Sequence, residues 1–423
     1  MTESRGFSYA IVLAVAFSLW IPVALFGAGG FSALLALTAI PAAFFVRYRS
    51  FGRLAAAVLA LMLWAGISSF WSAETDKIMS GDLTQGDFGI NAAGIRMMLT
   101  AVAGILVIGA AVRIERSSRN SAVFVLGVIA AHGILMLLMG LLPEVALSAY
   151  APFSDPVKEA PQNILRSANA FFLALPVLLG AAFLLRGPWR YLGFAVVFGF
   201  GLLTFLLLRS DVAILGSFLI LLACCVVVVF QRNGFRVLLG GVALAIIASP
   251  VVLSAAAPVA VQSELPLPSS TKSRIFAWSL AAQKVAERPV TGHGIEASKE
   301  WRETFADEPE LLELMRRSTD LTHIPWEKYR ILPGHPHNMG LQLWAETGLV
   351  GVVLACLILF LMAAALPAPA SLGLPVSLAA AGLIGSSFSL FSLSYSLWNE
   401  AFWATVVLVA ASIVLLSRMK PTS

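Results

Sequence analysis

The sequence predicts an all-α fold, a polytopic transmembrane helix bundle of about 12 spans with one large helical loop ahead of the last spans. Two observations support this prediction. The chain has 423 residues, of which 59% are hydrophobic and 12% are charged, whereas soluble domains are roughly one quarter charged. Apolar runs of about 17 to 25 residues, the length that crosses a bilayer, recur from one end to the other.

The predicted spans divide the chain into three parts. About nine lie in residues 1–253 and about three in residues 339–423, with a loop of residues 254–338 between them. The first run could be a cleaved signal, but it is long and a second follows almost at once, so we expect a retained span. The predicted spans cover residues 7–26, 31–46, 54–70, 95–112, 122–142, 170–185, 192–208, 212–230, 237–253, 339–366, 375–393 and 402–416.

Arginine and lysine are distributed unevenly between alternate connections. If both termini are cytoplasmic, the inner segments hold most of the cations that lie outside the loop 254–338, in agreement with the positive-inside rule. They are Arg5, Arg47, Arg49, Arg53, Arg113, Arg116, Arg119, Arg186, Arg190, Arg232, Arg236, Arg418 and Lys420. Nine preceding spans then place the loop 254–338 on the outer side, and one span more or fewer would reverse this. The net charge of +5 thus indicates topology and contact with anionic membrane lipid, not nucleic acid.

Cysteine and histidine give no metal signature. Cys224, Cys225 and Cys356 all fall within predicted spans, so no disulfide framework is indicated. Loop histidines could together bind a metal, but their spacing matches no recognised ligand set. These histidines are His293, His323, His335 and His337. We expect neither a metal nor another cofactor.

The loop has its own helical pattern. Apolar residues at helical spacing follow several N-cap candidates and predict an amphipathic helix that Pro289 ends. A turn over Gly292-His293-Gly294 comes next. A second helix is predicted over residues 298–317, where both charge signs are dense. Its predicted buried side comprises Trp301, Phe305, Leu311, Leu312 and Met315.

Two arginines on the outer side are candidate anion ligands. Arg274 falls in the first turn of the loop helix, where the helix dipole disfavours a cation unless an anion is shared. Arg209 ends the seventh predicted span, beside hydrocarbon. The alternatives are ordinary ion pairs, of Arg274 with an acidic loop residue or lipid headgroup and of Arg209 with Asp211.

A polar stripe enters the membrane where the loop ends. His337 can accept a proton from a hydroxyl or hold a phosphate oxygen, and Asn338 can cap the following helix. Helical spacing places Asn338, Gln342 and Glu346 on one face, and His337 on the adjacent face. The alternative for His337 is an interfacial side chain satisfied by the backbone.

The chain resembles the O-antigen ligase and polymerase superfamily. The resemblance depends on Ser273-Arg274 with Trp278, the Pro289 to Gly294 turn, His337-Asn338, Leu341-Gln342, and the run from Glu346 to Gly351. Members are bacterial inner-membrane proteins of about a dozen spans with one large periplasmic loop. Family members usually have a small residue before the span-ending arginine and a glycine after it, whereas this chain has Leu208 and Ser210-Asp211.

The resemblance implies a glycosyltransferase that uses a glycan linked to undecaprenyl diphosphate. It implies that Arg209 and Arg274 bind and stabilise the diphosphate, and that His337 acts on the acceptor hydroxyl. Glu346 or Glu400 are alternative bases, and Asn338 and Gln342 are candidate substrate ligands. A ligase would transfer the glycan to a lipid A core sugar, whereas a polymerase would extend a lipid-linked repeat. Ligation is the favoured prediction, because one loop carries both the helix and the histidine.

A transporter or flippase is an alternative from another class. It would predict ionisable residues and broken helices near the midplane of both halves. The predicted spans are nearly free of such residues apart from Glu346.

Overall fold

The computed structural model describes residues 8–46, 52–73, 79–80, 89–90, 92–115, 118–155, 157–262, 269–317 and 324–419. These ranges form α-helices and one short antiparallel pair of strands. The helices are α1 (Tyr9–Ser18), α2 (Trp20–Leu25), α3 (Phe31–Ala42), α4 (Arg53–Ser68), α5 (Ala93–Ala111), α6 (Arg119–Leu141), α7 (Pro143–Tyr150), α8 (Glu159–Ala182), α9 (Trp189–Leu207), α10 (Asp211–Val229), α11 (Gly234–Gln262), α12 (Ser269–Glu287), α13 (Pro309–Arg316), α14 (Met339–Ala365), α15 (Pro369–Leu372), α16 (Leu374–Leu393) and α17 (Glu400–Leu416). Strand β1 (Met79–Ser80) pairs with β2 (Gly89–Ile90).

Nine helices of the described ranges are long and apolar enough to cross a membrane. They are Arg53–Trp71, Ala93–Ala111, Arg119–Leu141, Glu159–Ala182, Trp189–Leu207, Asp211–Val229, Gly234–Ala255, Met339–Ala365 and Leu374–Leu393. Three shorter apolar helices, α1, α3 and α17, overlap the first, second and last predicted spans. The all-helical polytopic membrane fold is therefore confirmed, and twelve full spans stay a prediction.

The core of the bundle lies around α8 and α16. These two helices pack against each other and are surrounded by α6, α9, α10 and α17. They are the most enclosed of the long apolar helices, whereas others such as α9 expose most of their apolar side chains, as lipid-facing helices do. The N-terminal half of α8, which begins eleven residues before the predicted span, lies next to the turns that follow α9 and α16.

The loop before α14 folds over the start of that helix. Helix α12 ends at Glu287, before Pro289, as predicted, and packs on α11 and α14. Its buried residues join Phe305, Met315 and Leu341 in one apolar cluster. Because the cluster includes Leu341 of α14, the loop is fixed to the bundle.

The prediction of one helix over residues 298–317 is wrong. The structure has 3₁₀ turns at Ala297–Glu300 and Phe305–Asp307, followed by the short helix α13. Thr304 caps the second turn: its side chain accepts from the amide of Asp307 and donates to the carboxylate of the same residue. Pro309 is the first residue of α13. These are start signals of new helices, so they divide the segment.

Helix α14 is broken at Gly348, which has φ of +64°. The segment after α12 lies against the break: His293 N and Gly294 N donate to the carbonyls of Ala345 and Glu346, at 2.8 Å each, and Leu349 N donates to Pro289 O at 2.8 Å. A Cβ atom at Gly348 would overlap the carbonyl of Val290. The Pro289 to Gly294 turn and the Glu346 to Gly351 run are therefore two halves of one backbone junction.

Candidate active site

His337 lies just ahead of α14, in a left-handed backbone conformation with φ of +49°. Its Nδ1 lies 2.6 Å from the carbonyl oxygen of Ser394, at the end of α16. Because a carbonyl only accepts, Nδ1 carries the proton and Nε2 carries a lone pair. Within the described ranges Nε2 has no hydrogen-bond partner. The structure thus leaves a histidine acceptor unoccupied, and it places His337 off the helical face that the spacing predicted.

Neighbouring residues fix the segment that carries His337. Asn338 caps α14 as predicted, since its Oδ1 accepts from Leu341 N at 3.0 Å. Trp278 of α12 donates from Nε1 to the carbonyl of Pro336 at 3.0 Å. His335 Nε2 donates to the same Ser394 carbonyl at 3.1 Å, and its ring centroid lies 4.1 Å from that of His337. The segment that carries the His337 imidazole is therefore fixed by contacts with α12 on one side and with the end of α16 on the other.

The surroundings of His337 favour its neutral form. Burial lowers the pKa of His337 to about 4, and the positive charges of His335 and Arg274 act in the same direction, against the hydrogen bond to Ser394. Burial also lowers the pKa of His335. At neutral pH His337 therefore offers a lone pair, not a positive charge.

Arg274 lies on α12 one turn before Trp278, on the side that faces the His337 segment. Its side chain is half-buried and makes no hydrogen bond or ion pair with any described residue. Burial lowers the pKa of Arg274, while the charge of Asp211 acts to raise it. Arg274 is therefore electrostatically coupled both to Asp211 and to His337. Among the residues that the structure describes, no carboxylate forms an ion pair with Arg274, and its pairing with a lipid headgroup stays an open alternative.

Arg209 occupies the turn between α9 and α10, again in a left-handed conformation with φ of +54°. Its side chain is exposed and forms no salt bridge with Asp211 in the described structure. Because Asp211 acts on Arg274, the turn carrying Arg209 lies on the same side of the bundle as α12. Non-glycine residues at positive φ are uncommon and concentrate at functional sites. Here they are Ala28, Arg209, Glu296 and His337.

A third arginine was missed by the sequence reasoning. A hydrogen-bonded chain runs from Ser210 Oγ to Asn169 Oδ1 (3.3 Å) and from Asn169 Nδ2 to the hydroxyl of Tyr395 (3.0 Å), which links the Arg209 turn to the residue after Ser394. Burial raises the pKa of Tyr395, whereas the Asn169 hydrogen bond and the charge of Arg166 lower it. Arg166 is exposed and lies one turn before Asn169 on α8. The spacing of Arg166 and Asn169 was visible in the sequence, but α8 was predicted to begin only at residue 170.

Glu346 is fully buried and accepts hydrogen bonds from the loop, from α14 and from the turn before α17. Its donors are Ser298 Oγ at 2.5 Å, Glu296 N at 2.8 Å, Gln342 Nε2 at 3.3 Å and Trp398 Nε1. With its carboxylate oxygens so occupied, Glu346 is suited to holding the loop on the membrane helices.

Gln342 is likewise buried and fully engaged. Its amide nitrogen also donates to Ser396 Oγ at 2.9 Å, and its oxygen accepts from Leu397 N at 2.8 Å. Gln342 and Glu346 share a face of α14 as predicted, and they join the α16–α17 turn to α14. These contacts favour a positioning role over the predicted substrate contact.

Glu400, the other candidate base, opens α17 and lies next to a polar cavity. Its Oε1 is 3.5 Å from Arg96 Nε.

No group of three or more histidine, cysteine, aspartate or glutamate side chains is arranged for a metal ion among the residues the structure describes. His323 lies outside them. His293 Nε2 bonds the carbonyl of Lys284 at 2.9 Å.

The fold and this site define a class: a polytopic helical membrane protein with arginines and a neutral histidine gathered at one end of the bundle. Residues 195–356 match the family model described as O-antigen ligase. The matched range contains Arg209, Arg274, His337 and Glu346. Over this part of the chain the sequence is similar to the O-antigen ligase family, and the predicted resemblance is confirmed.

Curated relatives agree over a shorter stretch. Rickettsial proteins are described as "putative polysaccharide ligase": that of Rickettsia conorii is 31% identical over 90 residues, 21% of this chain and 19% of the relative. That of Rickettsia felis is 30% identical over 90 residues, with the same shares. That of Rickettsia bellii is 32% identical over 85 residues, 20% of this chain and 18% of the relative. The match spans about a fifth of each relative's length.

Proposed function

We propose that the chain is an O-antigen ligase-type glycosyltransferase, which moves a glycan from undecaprenyl diphosphate to a sugar of the lipid A core. The observation that carries the proposal is the placement of Arg274 beside His337, where no described residue forms an ion pair with Arg274 or a hydrogen bond with Nε2 of His337. The first group suits a phosphate and the second suits an acceptor hydroxyl. The family match and the names of the relatives support ligation as the reaction type.

Arginines are the proposed stabilisers of the leaving group. When the bond between the anomeric carbon and the diphosphate oxygen breaks, its electron pair stays on the diphosphate, where negative charge grows. Guanidinium groups fixed near that position stabilise the transition state, because they need no reorganisation during the reaction. Arg274 and Arg209 have this role in the proposal, and Arg166 adds a third cation on the same side.

His337 is the proposed group on the acceptor side. A new bond forms between the acceptor oxygen and the anomeric carbon, and the hydroxyl proton passes to Nε2 of His337. In the free protein the low pKa of His337 makes it a weak base. A bound diphosphate raises that pKa, since a nearby anion favours the imidazolium. The base thus gains strength when the donor is in place.

The membrane placement belongs to the same proposal. The charge distribution supports cytoplasmic termini and a periplasmic loop in the bacterial inner membrane. His337 and the arginines would then lie at the periplasmic face, where a lipid-linked donor and a lipid-anchored acceptor meet. Glu346 is the ionisable residue within a predicted span that a transporter would require. Its carboxylate accepts hydrogen bonds that join α14 to the loop and to the turn before α17, which weakens the transporter alternative.

The proposal is tested in cells that lack the native protein. Arg209, Arg274 and His337 are replaced singly by alanine, and lipopolysaccharide and lipid-linked glycan are examined in the same culture. We expect lipopolysaccharide without attached glycan, while long lipid-linked polymer accumulates. Accumulation of single lipid-linked repeats would instead identify a polymerase, and full product in all three variants would overturn the site. Arg190→Ala, at a half-buried arginine of α9 on the predicted cytoplasmic side, is the control.

A further inference from the structure

A polar cavity of about 190 Å³ lies beside the His337 site. Its charged and aromatic lining includes Arg96, Glu296, Lys299, His335, Trp398 and Glu400. His335 connects it to the site, since the His335 and His337 rings are 4.1 Å apart. The Trp398-Asn399-Glu400 turn forms part of the wall.

The cavity contains charges of both signs, which form one close ion pair and two longer ones. Arg96 Nε lies 3.5 Å from Glu400 Oε1, and Arg96 Nη2 lies 3.9 Å from Glu296 Oε1. Lys299 Nζ lies 2.7 Å from Glu296 Oε1. Arg96 Nε is buried and has no hydrogen-bond partner in the part of the chain that the structure describes. Carboxylates that accept, together with cations that donate, leave the cavity close to neutral.

This chemistry differs from that of the arginine side. Arg274 and Arg209 have no carboxylate within ion-pair distance in the described structure, which suits a phosphate. In the cavity each cation has a carboxylate near it, which opposes a phosphate and suits hydroxyl groups, because a hydroxyl both donates and accepts. The volume is below that of a drug-sized ligand site, in keeping with a single sugar ring.

We propose that this cavity binds the acceptor sugar, with Glu400 and Glu296 accepting from its hydroxyls and the Arg96 guanidinium donating to them. The proposal rests on the glycosyl transfer proposed above and assigns its second substrate. His337 then stands between the diphosphate on the arginine side and the sugar in the cavity. That is the order required for transfer of the proton from the acceptor hydroxyl to Nε2.

The test uses purified full-length protein in phospholipid nanodiscs, a lipid-linked glycan as donor and lipopolysaccharide lacking O-antigen as acceptor. For Glu400→Gln we expect the KM for the acceptor to rise about tenfold, the effect of losing one hydrogen bond to a charged group. The KM for the donor should stay as in the wild type. Arg96→Gln should behave alike, and Glu313→Gln, an exposed carboxylate of α13, is the matched control.

Two results would overturn the assignment. One is a rise in the KM for the donor with no change for the acceptor, which would place the donor glycan in the cavity. The other is wild-type behaviour of both folded variants.

A direct binding measurement separates this proposal from the proposed function. Saturation-transfer NMR uses the core oligosaccharide released from lipid A, with wild type and Glu400→Gln in the same nanodiscs. Signal in the wild type that is lost in the variant supports the cavity, even if the wild type transfers no glycan and the proposed function fails. Absence of signal in the folded wild type would overturn it.

Discussion

Nδ1 of His337 and the main-chain carbonyl of Ser394 lie 2.6 Å apart, although 57 residues separate them in sequence. The contact determines the tautomer: the proton stays on Nδ1, and Nε2 keeps its lone pair. Ser394 ends α16 and Tyr395 follows it. The α16–α17 turn therefore fixes the orientation of the His337 ring, with Nε2 free for its proposed role as proton acceptor. No local sequence motif predicts this contact between the α16–α17 turn and His337.

The first prediction concerns pH. His337 must be neutral to accept a proton, and its pKa in the free protein is about 4. We expect kcat/KM for the donor to be constant between roughly pH 6 and 8 and to fall only as the pH drops towards that pKa, because this ratio reports the free protein. The acid limb of kcat should lie at higher pH, since the bound diphosphate raises the pKa of His337.

The measurement is a pH series with the reconstituted protein, checked for unfolding at each pH. An acid limb of kcat/KM near the ordinary histidine value of about 6.5 would contradict the assigned surroundings of His337.

The second prediction concerns Glu346. Alanine at this position leaves buried donors of Ser298, Glu296 and Trp398 without an acceptor. Each unsatisfied buried group costs about 1 to 3 kcal/mol, so we expect a clearly lower midpoint of thermal unfolding and little folded protein. Glu346→Gln, which keeps an acceptor oxygen, should be milder. A Glu346→Ala protein as stable as the Glu313→Ala control but inactive would instead favour a catalytic carboxylate.

The third prediction concerns the junction at Gly348. Alanine there meets both a positive φ and the carbonyl of Val290. We expect a loss of stability of about 2 kcal/mol or more. Gly127→Ala is the matched control, because Gly127 lies within α6 with open space around it, and alanine is favoured over glycine in a helix by about 1 kcal/mol. Equal unfolding temperatures for the Gly348→Ala and Gly127→Ala variants would contradict the close backbone contact at Gly348.

The fourth prediction concerns Arg166. If it adds to the positive field for the diphosphate, Arg166→Ala should raise the KM for the donor about tenfold, the effect of one charge-assisted contact. The KM for the acceptor should not change, and Arg166→Lys should retain part of the affinity. Donor affinity is measured by titration of lipid-linked glycan, with Arg190→Ala as control. Wild-type donor affinity in Arg166→Ala would remove Arg166 from the site.

The sequence was informative where apolar runs and start or stop signals agree. The membrane fold, the end of α12 before Pro289 and the cap by Asn338 all follow from local chemistry. The family resemblance was visible because each of its motifs is a short run of residues in the sequence. The backbone junction at Gly348 explains why the Pro289 to Gly294 turn and the Glu346 to Gly351 run occur together.

Other features depend on contacts between distant elements. Arg166 was assigned to a loop, because hydropathy alone placed the start of α8 at residue 170, beyond its polar first turns. The segment 298–317 has helical composition, but Thr304 and Pro309 divide it. His337 was placed on the face of α14, since spacing does not reveal its left-handed backbone. The pairing of Glu346 with Trp398 joins elements 52 residues apart.

The most direct test of the central claim measures both products of one reaction. Wild type and His337→Ala are compared in nanodiscs with lipid-linked glycan and lipopolysaccharide lacking O-antigen, and both undecaprenyl diphosphate release and glycan attachment to the acceptor are recorded. We predict equal amounts of the two products from the wild type, and a loss of both by about 100-fold or more in a folded His337→Ala protein. Wild-type rates in that variant would contradict the account.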